Sequence, residues 1–92
     1  MIVFDDEAQW SKGLLSFWAH RDRQRIHCLA GLETIAELPG FTHATRREIG
    51  SRKAELRDLL KPHFLRKIER NEFEEGSTPT ITMFIRDLGR LQ

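Results

Sequence analysis

Residues 14–31 read LLSFWAHRDRQRIHCLAG, and two histidines and the only cysteine fall within nine of them. The fold turns on whether this stretch is a reactive site or a β-hairpin. Its period is two. Leu15, Phe17 and Ala19 fall on one face, with Leu14, Ser16, Trp18 and His20 on the other. After Arg21-Asp22-Arg23-Gln24 the alternation resumes, with Ile26, Cys28 and Ala30 on one face and Arg25, His27 and Leu29 on the other. Two alternating runs joined by a short polar loop predict a hairpin. No glycine occupies the turn, so a tight turn needs a non-glycine residue at positive φ, which Asp22 tolerates best; a slightly longer loop is the alternative.

Outward from the hairpin, Ile2-Val3-Phe4 reads as a short strand stopped by Asp5-Asp6-Glu7. The stretch to Trp10 and Ser11 reads as a loop, with Trp10 tucked against the core edge. Leu32, Ile35, Ala36 and Leu38 recur at helical spacing until Pro39-Gly40. Thr45-Arg46-Arg47-Glu48 has the form of a capping box and starts a second helix, whose apolar positions are Ile49, Leu56, Leu59 and Leu60. Pro62 predicts a kink or break near Lys61, beyond which Phe64, Leu65, Ile68 and Phe73 form a rotated stripe. Residues 80–86, TITMFIR, read as the last strand. The order is therefore β-β-β-α-α-β. The economical packing is a small single α+β domain over residues 1–92, an antiparallel four-stranded sheet with helices on one face.

Several residues in this pattern resemble the uncharacterised bacterial "domain of unknown function 1488" family. They are Ile2-Val3-Phe4-Asp5 and Trp10, Ser16-Phe17-x-Ala19, Ile26-x-Cys28-x-Ala30, Leu32, Leu38, Arg47, Ile49, Glu74-Glu75-Gly76, Ile81-Thr82 and Asp87-Leu88. The chain departs from that pattern at Arg23, where glycine is expected in the turn, and in its arginine-rich helix segment. The resemblance implies a small bacterial α+β protein and no known activity.

Ninety-two residues suit one domain, and 39% hydrophobic against 32% charged residues keeps the composition within the folded range. No apolar run approaches the ~20 residues of a membrane span. The N-terminus lacks the basic region of a signal peptide, and one cysteine forms no internal disulfide, so a cytoplasmic location is expected. Net charge is only +1, but residues 44–70 carry nine Lys or Arg against four acids.

Cys28 falls on the face shared by Phe17, Ala19 and Ile26, the place of a buried and unreactive thiol. His27 points to the opposite face and cannot share a metal with it across a regular strand. The outer face, Trp18, His20, Arg25, His27 and Leu29, reads as a solvated surface on which Arg25 and His27 shield Trp18, or as an interface. The acidic runs at 5–7 and 72–75 lack the alternating ligands and central glycine of a calcium loop. Neither a nucleophile motif nor a glycine-rich phosphate loop is present. The expectation is no catalytic residue, no metal, no cofactor and no small-molecule substrate. Gly50, inside the helix, signals either close packing of a neighbour or a frayed first turn.

On one continuous helix Arg46, Lys53, Arg57 and Lys61 form a basic stripe, supported by Arg47 and Arg52. It suits phosphates, pairing with the acidic runs of the same chain or a second copy, or plain solvent exposure. The leading reading is a non-enzymatic interaction or regulatory module with a protein partner or a second copy of itself. The alternative is an auxiliary nucleic-acid-binding protein using the stripe.

Overall fold

The hairpin is the spine of the sheet. The computed structural model describes residues 1–89, and in it Leu14–Arg21 (β3) pairs antiparallel with Gln24–Gly31 (β4) from Leu14↔Gly31 to Arg21↔Gln24. The turn is the tight one: Asp22-Arg23 connects the strands, and Asp22 alone takes the positive φ, at 56°. Leu15, Phe17, Ala19, Ile26, Cys28 and Ala30 are buried on the inner face, as the alternation requires.

Ile2–Phe4 (β1) and Gln9–Ser11 (β2) both pair antiparallel with β3, end to end along its other edge. The stretch read as a loop therefore supplies a strand. Lys12-Gly13, with φ of 54° and 75°, is the turn that folds β2 onto β3, and Trp10 faces Leu15 on the inner side. Five strands thus fill four positions.

The far edge corrects the antiparallel expectation. Thr80–Met83 (β5) pairs with β4 in parallel, from His27↔Thr80 to Ala30↔Met83, so the sheet is mixed. Antiparallel neighbours are joined by hairpins, whereas a parallel pair needs a long crossover. The whole helical segment between Gly31 and Thr80 is that crossover. β5 also ends earlier than expected. The Asp87 carboxylate accepts a 2.9 Å hydrogen bond from the Phe84 N–H, starting a short helix, Ile85–Leu88 (α4), in place of a continued strand.

The helices are Leu32–Ile35 (α1), Arg46–Ser51 (α2) and Lys53–Glu69 (α3). Thr45 caps α2 through its hydroxyl, which accepts from the Glu48 N–H at 3.2 Å. The expected break at Pro62 is absent; the helix breaks at Arg52, with φ −115° and ψ 27°. Gly50 and Ser51 weaken the turn before it. Pro62 and Asp58 are both exposed, so the carbonyl that proline leaves without an N–H lies on the wet side of α3. The buried face of α3 runs unbroken past it as Leu56, Leu60, Phe64 and Ile68, each with zero exposure. An i,i+4 series turns slowly around a helix, which removes the rotation read into the stripe. Phe64 meets Phe17 edge to face, with ring centroids 5.2 Å apart.

Gly50 packs against the Trp10 side chain, with room for little more than a Cβ. A Cβ there would stand 3.4 Å from Cδ1 of Trp10. At the hairpin tip Arg21 donates to the Ile68 carbonyl at 3.0 Å and to the Asn71 side chain at 2.7 Å, tying the turn to the C-terminal end of α3.

Candidate interaction face

Cross-strand partners share a face, so the registers name the outer surface: Val3 and His20, Gln9 and Ser16, Trp18 and His27, then Leu29 and Thr82. Every buried strand residue lies on the inner side, packed with the helices, and among the described residues no outer-face strand position is buried. This side of the sheet is bare.

Its centre is an aromatic and cationic stack. The His27 imidazole lies 4.3 Å from the Trp18 ring with planes 11° apart, and Arg25 Cζ lies 4.0 Å from that ring. Arg25 and His27 do shield Trp18, as the alternation predicts. Burial, and then the Arg25 charge, lower the His27 pKa from its ordinary value. His20 takes a different partner, with Nε2 2.8 Å from the Asp5 carboxylate. Sequence reading missed this contact, although Asp5 continues the alternation from Val3 on the same edge. Leu29 lies next to His27 along β4 and is half-buried.

Both edges of the sheet are blunted. β1 has three residues and ends at Asp5-Asp6-Glu7, and β5 is flanked by an antiparallel bridge from Glu74 to Thr80. Short strands, acidic runs and covered edges disfavour pairing with another chain through the edge.

The six basic residues do not form one stripe. Arg46 and Arg47 belong to α2, and the break at Arg52 separates them from α3. Arg52 donates to both Glu55 oxygens, at 3.1 and 2.7 Å, and to the Gly40 carbonyl at 3.0 Å, with its Cζ 3.9 Å from the Phe41 ring. Lys53 lines a ~460 Å³ cavity together with Asp6 and Glu7. Arg57 is 9% exposed and donates from Nε and Nη2 to Asp58, at 3.3 and 3.2 Å. Lys61 lies 3.4 Å from the same carboxylate. Burial alone would raise the Asp58 pKa, but the hydrogen bonds from Arg57 and Lys61 outweigh it and hold the group below its ordinary value.

The Lys67–Asp87 ion pair was not read from the sequence either. Lys67 Nζ lies 3.3 Å from the buried Asp87 carboxylate. The spacing of the two residues carries no signal, because β5 brings them together. Cys28 has zero exposure, and burial pushes its pKa up to about 12. Among the described residues no group of three or more His, Cys, Asp or Glu is placed to hold a metal ion, and no helix is long and apolar enough to cross a membrane.

No family model matches the chain, and no curated protein matches it in sequence. Among solved structures it is similar to the crystal structure of a protein of unknown function from the DUF1488 family of Shewanella loihica PV-4. The likeness has a TM-score of 0.68 and 17% identity, and covers 87% of this chain and 90% of that one. Similarity at that identity speaks for architecture, and it meets the resemblance carried by the residues: the chain has the α+β fold of the domain of unknown function 1488 family.

Proposed function

We propose that this chain is a non-enzymatic interaction module that seats a protein partner on the bare face of its sheet. The observation that carries the reading is that every helix packs on one side while the other side presents Trp18, His27 and Leu29 half-exposed. Large aromatic and aliphatic side chains flanked by arginine and histidine are the composition of an interface core. The blunted edges favour the face over strand addition as the contact surface.

The face is small. β3 and β4 have eight residues each at ~3.4 Å and the other strands are shorter, so four positions at ~4.8 Å span at most roughly 500 Å² in plan on this side. That is below the ~800 Å² per partner of a standard stable complex, which suits a transient or regulatory contact. The basic residues weigh against the nucleic-acid alternative, since Arg52, Arg57 and Lys61 are engaged within the chain. A cytoplasmic, reducing location is part of the proposal and rests on the single cysteine.

The test is photo-crosslinking in the producing cell, with a benzophenone amino acid at position 29 and, as control, at position 69 on the exposed side of α3. A discrete protein adduct from position 29 alone is the expected result, and its mass tells a second copy from a different protein. Adducts from both positions alike, or none from position 29, would sink the proposal.

A further inference from the structure

The carboxyl ends of the parallel pair β4 and β5 open onto a groove of ~440 Å³, separate from the aromatic stack. Small ligands favour this end of parallel strands, and the volume lies within the range of their sites. Leu14, Leu32 and Phe84 give it an apolar lining, and Leu14 and Phe84 are 38% and 43% exposed. Gly31 leaves it open: a Cβ built there meets nothing within 4 Å.

Two opposite charges line the same groove. Arg46 lies with its guanidinium against Gly13, and Glu33 stands in the first turn of α1. Among the described residues neither is in an ion pair, with each other or with a third group. They are therefore farther apart than direct pairing allows, yet border one cavity. A ligand with an anion and a cation on one carbon, and an apolar group beside them, matches all three features.

We propose that this groove binds a free amino acid with an apolar side chain. The α-carboxylate meets Arg46, the α-ammonium meets Glu33, and the side chain lies on Leu14, Leu32 and Phe84. Charge-assisted hydrogen bonds at both ends orient the ligand. A ligand of this size on an open groove binds on the order of millimolar. The groove shares Thr82 with the bare face, so a partner seated there borders the ligand, but none of the residues that meet the ligand belongs to the aromatic stack.

The test is an amide-resolved NMR titration of the full chain with L-leucine and L-phenylalanine. N-acetyl-L-leucine lacks the ammonium, leucinamide lacks the carboxylate, and N-acetyl-L-leucinamide lacks both. Saturable shifts at Leu14, Gly31, Leu32 and Phe84 are expected with the free amino acids, weakened about tenfold by removing either charge. Arg46→Gln and Glu33→Gln should each remove the preference for the matching ligand charge. Gly31→Val should abolish binding by filling the groove. Gly31 has φ −85° and ψ 170°, extended backbone that valine adopts, so the variant remains folded by its melting curve. No groove shifts at tens of millimolar, equal binding of the neutral analogue, or unimpaired binding by folded Gly31→Val would overturn the proposal. Tighter binding of N-acetyl-L-leucine than of leucine would also overturn it, in favour of a peptide C-terminus.

Discussion

His27 on β4 stacks face to face on Trp18 of β3, ring centroids 4.3 Å apart. The imidazole sits beside Arg25, and both burial and that charge disfavour its protonation. In the unfolded chain His27 takes up a proton near its ordinary pKa of 6.5, while in the folded chain it does so only at lower pH. The unfolded state therefore binds more protons in that window. Stability from this group is fully present above about pH 6.5 and declines as pH falls toward the folded value. His63 shifts in the same direction, by burial, partly offset by Asp87.

Melting curves from pH 7.5 down to 5.5 should accordingly show a falling midpoint, with a smaller fall in His27→Gln and the smallest in His27→Gln/His63→Gln. In a Trp10→Phe background Trp18 emission in the folded protein should drop only below pH 6.5, because an imidazolium against the indole quenches it and the folded His27 takes up its proton below its ordinary pKa. A midpoint that does not depend on pH in the wild type would contradict the assignment.

The Arg57–Asp58 pair predicts an asymmetry between its two deletions. Arg57 is 9% exposed, and its Nη1 is buried without a protein acceptor. Asp58→Ala removes the acceptor of Nε and Nη2 and should cost about 1–3 kcal/mol. Arg57→Met replaces an incompletely satisfied cation by an apolar side chain of similar length, and should lie within about 1 kcal/mol of wild type or above it. Urea unfolding of both variants and the double mutant checks this; equal losses for the two single changes would contradict it.

Proline inside a continuous helix costs stability that alanine restores. Pro62→Ala should gain about 1–2 kcal/mol. The helix-interior penalty of ~3 kcal/mol is partly offset by the ~1 kcal/mol that proline's stiffness contributes through the unfolded chain. Gly50 is the contrasting position. Helix propensity favours Gly50→Ala by ~1 kcal/mol, but its Cβ lands 3.4 Å from Trp10, so Gly50→Val, which must go further, should lose about 1–3 kcal/mol. Thermal melts of these variants decide both points.

Cys28 should resist thiol reagents in the folded protein and react at full rate in denaturant, since its pKa is pushed up to about 12 and its sulfur is out of reach of solvent. Labelling in the native state should therefore track transient opening. Cys28→Ser, which buries a hydroxyl in an apolar setting, should cost about 1–3 kcal/mol, with Cys28→Ala the milder change.

The hairpin was legible because a period of two writes both faces directly into the residues, and it correctly placed Cys28 inside and Trp18 and His27 outside. Neighbour and direction are not written that way. Ile81 and Met83 carry the alternation of an inner strand whichever way they run, so the parallel pairing with β4 had no signature. Local chemistry explains the other departures. Residues 80–86 read as one strand, but Asp87 stands three residues after Phe84, where a carboxylate accepts from the Phe84 N–H and starts a helix. Pro62 drew the break away from Gly50-Ser51-Arg52, where it occurs. For the candidate face, composition located the side chains but not their partners. Asp5 on His20 and Arg52 across Phe41 arise from segments far apart in sequence.

The crossover from Gly31 to Thr80 also orders events during synthesis. Until residues 80–83 emerge from the ribosome, β4 has no partner on that side, and the strand carrying Cys28 is an open edge. A thiol inert in the finished molecule is thus expected to be reactive in the nascent chain. Alkylation of stalled chains with β5 still inside the ribosome, and with β5 emerged ahead of an added C-terminal linker, would show it: strong labelling of the first and weak labelling of the second would make the last strand the guardian of the only sulfhydryl.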